Sequence, residues 1–132
     1  MPDLDDAARC PCGTGLPYGE CCGPFLAGVA QAPTAERLMR SRYTAYAVGR
    51  ASYLLATWHP STRPASLAVD PATRWIGLEI LGRTRGGMLD TVGTVEFRAS
   101  YRREGARLDQ RENSSFVREN KAWFYLDGVV AD

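Results

Sequence analysis

Apolar residues recur along the chain at two different periods, and the change between them orders the elements. After Pro33, Leu38, Met39, Tyr43, Tyr46 and Ala47 return at steps of three and four, which places one apolar stripe on a helix. Thr34 is positioned to cap the first turn with its hydroxyl, and Gly49 to stop the helix. Arg37, Arg40 and Arg50 fall mostly off the stripe. A shorter helix, capped by Ser52, carries Tyr53, Leu54, Leu55 and Trp58. His59-Pro60 ends it, because a residue before proline resists helical geometry. Pro60, Pro64 and Pro71 make residues 60–73 irregular, with at most one helical turn over Ala65–Ala68.

From Arg74 the period falls to two. Trp75–Leu81 reads as a strand with Ile76, Leu78 and Ile80 on one face and Trp75, Gly77 and Glu79 on the other. Gly86-Gly87 makes a turn, and Thr91–Arg102 alternates Val95, Phe97, Ala99 and Tyr101 against Glu96, Arg98, Ser100 and Arg102. Arg107–Glu119 alternates less cleanly, Asn120-Lys121 is a tight turn, and Ala122–Leu126 closes the meander. Helices followed by an antiparallel meander predict an α+β fold with helices on one face of a curved sheet.

The first thirty residues follow neither period. Their information lies in four cysteines, Cys10, Cys12, Cys21 and Cys22, separated by a turn-forming segment with Gly13, Gly15 and Gly19. These glycines permit positive φ, so the chain can reverse and aim backbone N–H groups at the sulfurs. Four thiolates at this spacing suit one tetrahedral, structural Zn²⁺ with no open coordination position. Two disulfides and unmetallated or redox-active thiols are the competing readings. Adjacent Cys21 and Cys22 pair poorly with each other, and the Cys-x-x-Cys spacing typical of a redox pair is absent. We place a boundary near residue 30, giving a knuckle and connector over 1–30 and an α+β domain over 31–132.

Composition narrows the function classes. The 132 residues are 45% hydrophobic and 23% charged, which is globular, and a net charge of +1 argues against general nucleic-acid binding. Binding to nucleic acid or the ribosome would need a local patch such as Arg98, Arg102, Arg103, Arg107 and Arg111. No stretch approaches the roughly 20 apolar residues of a membrane span. Residues Met1–Asp6 are acidic and lack the order of a signal peptide, so a cytoplasmic protein with reduced thiols is expected.

Cys10-Pro11-Cys12-Gly13-Thr14-Gly15, then Tyr18 and Cys21-Cys22-Gly23, resembles the SEC-C motif, the zinc knuckle of the SecA preprotein-translocase motor. Thr14 replaces the usual serine, and the spacer lacks the lysine many members carry. The resemblance implies zinc ligation by Cys10, Cys12, Cys21 and Cys22. In the secretion motor the motif is associated with a chaperone, ribosomes and phospholipid. The phrases Leu38-Met39-Arg40-Ser41-Arg42-Tyr43, Tyr53-Leu54-Leu55-Ala56-Thr57-Trp58-His59-Pro60 and Gly93-Thr94-Val95-Glu96-Phe97 extend it to the whole chain, which resembles the YchJ-like family. That implies a cone similar to nuclear transport factor 2, often with a pocket and often dimeric through the sheet. It implies no particular reaction. Longer members carry a second, C-terminal knuckle, which is not expected here.

Catalytic residues are sparse. His59 is the only histidine and so the one side chain with an ordinary pKa suited to proton transfer near neutrality; the competing reading is a helix-end histidine bonded to its surroundings. Glu96 and Arg98 share a strand face and form a polar site with Glu79 or Glu112, or else cross-strand pairs on a solvated face. Tyr43, Tyr46, Tyr101, Trp75, Trp123 and Tyr125 are pocket or core aromatics. No phosphate loop, nucleophile elbow or carboxylate–histidine metal cluster is present. The leading expectation is an accessory or adaptor protein that binds a protein partner through exposed Leu16, Pro17 and Tyr18. The alternative is a small-molecule binder or enzyme of isomerase or hydrolase type, which a cone filled by Tyr43, Trp75 and Phe97 would exclude.

Overall fold

A computed structural model describes residues 4–130; Met1-Pro2-Asp3 of the acidic start and the final Ala131-Asp132 lie outside the described residues. A 3₁₀ turn over Tyr18–Glu20 leads into α1 (Gly23–Leu26), α2 (Ala35–Val48) and α3 (Ala51–Ala56), then strands β1 (Arg74–Arg85), β2 (Val92–Arg103), β3 (Ala106–Glu119) and β4 (Ala122–Val130). The strands form one antiparallel sheet in the order β1-β2-β3-β4, with α2 against its inner face and α1 and α3 packed on α2. Among the described residues no helix is long and apolar enough to cross a membrane.

Local chemistry explains most boundaries. The Thr34 hydroxyl accepts from the Arg37 N–H at 3.2 Å, and Gly49 adopts φ 79° to end α2. Ser52 does not cap α3, because α3 follows directly on Gly49 and Arg50 occupies the cap position. Ala65–Ala68 form no helical turn, and the helix predicted to reach Trp58 stops at Ala56. Residues 57–59 instead run along β4: the His59 N–H donates to the Tyr125 carbonyl at 2.7 Å, and the Tyr125 N–H to the Thr57 carbonyl at 2.8 Å. This one-rung extension seats Trp58 beside Tyr125.

Alternation on β2 holds: Val95, Phe97 and Ala99 are buried, and their partners on β3 are Ser114, Glu112 and Gln110. On β1 it breaks. The register slips between Trp75 and Gly77, leaving Ile76 as the extra residue of a bulge. One inserted residue reverses the parity, so Trp75 joins Leu78 and Ile80 on the inner face while Ile76 turns outward, 39% exposed. A second slip follows between Ile80 and Gly82.

One apolar cluster runs through the molecule, from Cys10, Cys12, Cys21 and Cys22 through Leu38 and Tyr43 to Val95, Phe116 and Trp123. The knuckle is thus packed into the same core as the cone.

Candidate functional site

Two features carry chemistry, and α2 lies between them. The first is the knuckle. The Cys10 N–H donates to the Leu16 carbonyl at 2.9 Å, closing a short reversal that returns the chain toward Cys21 and Cys22. Gly13 and Gly15 supply positive φ of 85° and 88° there; Gly19 does not, and is needed because a Cβ would meet Asp6. All four cysteines are buried, none is in a disulfide, and their sulfurs lie within 4.8 Å of one another.

The thiols compete for protons. Hydrogen bonds from the Cys10 and Cys22 thiols pull Cys12 far below its ordinary value, whereas burial holds Cys21 up to about 11, and bonding to Cys10 and Cys12 raises Cys22. The Thr14 backbone N–H and hydroxyl add to the stabilisation of Cys12. Four sulfurs at these separations match the donor set of a thiophilic cation, for which a tetrahedral edge is about 3.8 Å at Zn–S distances near 2.3 Å. Cys12 and Cys21 are already 3.5 Å apart.

Contacts to α2 fix the knuckle in place. The Cys10 sulfur and the Thr44 hydroxyl approach to 3.8 Å, and Arg40 Nη1 donates to the Cys12 carbonyl at 2.8 Å while its Nε donates to Glu36 at 3.1 Å. Of the residues expected to meet a partner, Leu16 is 46% exposed and Pro17 is half-buried. Tyr18 is buried, at 7% exposure, because it turns inward to pack on Gly23, where a Cβ would collide with the Tyr18 carbonyl and ring. The expectation of an exposed Tyr18 is corrected.

The second feature is a cavity of about 200 Å³ between α2 and the sheet. Tyr43, Tyr46 and Trp75 line it, as does Glu112 on the inward face of β3. Ser114 donates to Glu112 at 2.5 Å, and Gly128 opposite leaves space that a Cβ would fill against that carboxylate. Trp75 meets Tyr43 edge-on at 5.9 Å and tilts against Tyr46 and Tyr101 at 6.2 and 5.1 Å. Burial raises the Tyr43 and Tyr125 hydroxyls to about 12 and moves Tyr46 in the same direction.

Other predicted site residues lie elsewhere. Glu96 and Arg98 are on the outer face of the sheet because β2 alternates; Arg111 donates to Glu96 at 2.6 Å and Arg98 to Glu79 at 3.1 Å. They do not join Glu112. Trp123 is buried in the core with its indole N–H donating to the Pro33 carbonyl at 3.2 Å, away from the cone cavity. In the arginine patch, Arg103 pairs with Asp70, Arg107 lies 3.9 Å from Asp109, and Arg98 and Arg111 are paired as above. His59 Nδ1 accepts from the Ser61 N–H at 3.1 Å, so Nε2 carries the proton and donates to Glu119 at 2.9 Å. The Ser61 hydroxyl stands 2.7 Å from Nδ1, but Ser61 and Glu119 are exposed and none of the three lines the cavity. His59 therefore sits as a bonded residue at the chain's turn.

Arg42 was missed by the sequence reading. It falls at the centre of the apolar stripe, four residues after Leu38 and four before Tyr46, and that placement is the signal that identifies it. It is 4% exposed and lines the cavity.

Comparison with known proteins accords with this architecture. The family described as "YchJ, middle NTF2-like domain" matches residues 34–128, and the SEC-C motif matches residues 8–24. The chain belongs to the YchJ-like family. UPF0225 proteins of this kind include one from Streptomyces coelicolor, 57% identical over 93% of this chain and 96% of its own length. Another, from Corynebacterium efficiens, is 49% identical over the full length of both. Among solved structures, the SEC-C motif protein RPA3114 of Rhodopseudomonas palustris superposes with a TM-score of 0.83 at 35% identity, covering 95% of this chain and 100% of that one. A SEC-C motif protein from Psychrobacter arcticus gives 0.79 at 29% identity, covering 96% and 85%. The YchJ-like assignment accounts for both features, knuckle and cone, in one chain.

Proposed function

We propose that this YchJ-like protein is a cytosolic accessory protein that binds a small molecule inside its cone, with the knuckle as a zinc-loaded structural staple. One observation carries the reading: Tyr43, Trp75 and Phe97 border the cone interior without filling it, leaving about 200 Å³ between aromatic walls and polar groups. A small space of this kind suits a ligand below the size of typical drug-like molecules, whose pockets begin at about 300 Å³. All four thiolates are spent on the cation, so zinc supplies folding energy and no chemistry to the ligand. The staple holds α2, and α2 in turn carries the helical wall of the cavity.

The reading is tested by a small-molecule screen read as thermal shift, run in parallel on the protein and on Ala99→Phe, which places a ring in the cavity. Ligands that stabilise the protein but not Ala99→Phe support it. A screen yielding none, or only ligands indifferent to Ala99→Phe, overturns it. Metal analysis of the purified protein is expected to return one zinc per chain.

A second reading is recognition of a protein partner by the rim of the knuckle, favoured by the exposed Leu16 beside the open Gly15. Deleting the knuckle is a poor test, because its cysteines belong to the core. Leu16→Asp changes the rim alone; it should abolish capture of any partner that requires the knuckle.

A further inference from the structure

The chemistry of the cavity wall points to a class of ligand. Arg42 is a cation held 4% exposed, and among the described residues no carboxylate pairs with it. Nη1 donates to the Leu54 carbonyl at 2.8 Å and to the Thr57 hydroxyl at 2.7 Å, which anchors one edge of the guanidinium. Its carbon lies 4.6 Å from the Tyr125 ring centre and 5.2 Å from that of Trp58, so the plane is fixed by cation–π contacts as well. The rest of the fork, Nε and Nη2, is left with no protein acceptor of its own among the described residues. Glu112, on the same cavity, favours the Arg42 charge through space but makes no ion-pair contact with it, so the compensation is incomplete and the protein sustains this buried charge at the wall of an open space.

A second, independent observation lies on the same wall. Trp58 also lines the cavity, and its indole N–H is closed to solvent with no acceptor among the described residues, so a small turn of the ring is what would present it to a ligand. Buried donors left unsatisfied are rare in native proteins and call for an explanation. Arg42 and Trp58 come from different elements and share the need for a negative or strongly accepting group. The remaining walls, Tyr43, Tyr46 and Trp75, offer aromatic surface to a flat body.

We propose that the cavity takes a small aromatic carboxylate, its oxygens accepting from the Arg42 guanidinium and the Trp58 indole N–H, and its ring lying among Tyr43, Tyr46 and Trp75. Glu112 faces the same space and already offsets part of the Arg42 charge, which leaves room for a single negative charge on the ligand and opposes a second, so the ligand is a monoanion. This inference rests on the cavity-binding reading above and sharpens it from any small molecule to one charge and one shape.

The test compares benzoate with benzamide, its neutral isostere, by amide NMR titration of the full chain. Benzoate is expected to bind at least tenfold more tightly, with shifts mapping to α2 and Trp58. Trp58→Phe, which keeps an aromatic face and removes the donor, should weaken benzoate about fivefold and change benzamide far less; Arg42→Lys should weaken benzoate more. If Arg42→Lys does not fold, the benzoate–benzamide ratio and Trp58→Phe decide the matter. Equal binding of the two probes inside the cavity overturns the carboxylate proposal while the cavity-binding reading stands. Absence of binding by both, or shifts mapping elsewhere on the surface, overturns the carboxylate proposal, and the separate Ala99→Phe screen then judges the cavity-binding reading on its own.

Discussion

The knuckle and the cone bury polar chemistry in contrasting ways, although they share one helix and one core. In the knuckle, four thiols stand within 4.8 Å of one another and are mutually unfavourable as anions, a donor set that a cation would draw together. In the cone, the sheet and α2 supply the order, and the interior groups are held by protein contacts: Arg42 by carbonyl, hydroxyl and ring, Glu112 by Ser114. In the function proposed above, one region is assembled by its ligand. The other is assembled first and has room for one. Residues two apart on a helix point in nearly opposite directions, so Arg40 and Thr44 can grip the knuckle while Arg42 between them turns to the cavity.

The contrast breaks most sharply along the pH and metal axes. Chelation, or Cys22→Ser, removes a term of the order of 10 kcal/mol from a knuckle that is part of the core. The expected result is loss of bound metal and a melting temperature lower by about 20 °C or more, seen by calorimetry. Protons compete with the metal for thiolates, so the knuckle should fail as pH falls. The cone should weaken at the other end. Burial raises Tyr43, Tyr53 and Tyr125 from 10.0 to about 12, so the unfolded chain ionises first. Their contribution is intact below pH 10 and is lost as pH rises from 10 to 12. A denaturant midpoint that stays flat over that interval would contradict it.

Smaller changes sharpen the comparison within the cone. Phe116 is 1% exposed at the inner face of β3, and Phe116→Ala should cost about 3–5 kcal/mol without releasing metal. Thr34→Ala removes the cap of α2, the element common to both regions, at about 1 kcal/mol in chemical denaturation. Arg98→Ala, on the solvated outer face, should change stability by about 1 kcal/mol or less, because its pair with Glu79 is exposed. A larger loss there would mean that the outer face is covered in solution.

How much of this was legible in the sequence follows from how local each signal is. The knuckle was readable because cysteine spacing states its own geometry, and β2 because Val95, Phe97 and Ala99 alternate without interruption. The cap at Thr34 and the turn at Asn120-Lys121, with φ 52° and 67°, are likewise decided by a few adjacent residues. The bulge at Ile76 is not: the sequence Trp75-Ile76-Gly77-Leu78 alternates acceptably in either register, and only pairing with Tyr101 and Ser100 selects one. Tyr18 looked exposed because its segment is short and turn-rich, yet its burial depends on the packed core beneath. For Arg42 two signals conflict: charge alone assigns it to the solvated face, whereas its position in the stripe places it inside.

The interrupted register of β1 has a consequence for behaviour at high concentration. As the first strand of the sheet, β1 presents an unpaired side, which in a flat strand would be a template for addition of a foreign strand. Two slips within a few residues destroy the even spacing of donors and acceptors along that side, and Arg85 adds charge to its far end, whereas Arg83 is held by Glu36 of α2. A neighbouring chain could match one short stretch but not continue past it. The same irregularity that carries Trp75 into the cavity thereby guards the sheet against fibrillar growth.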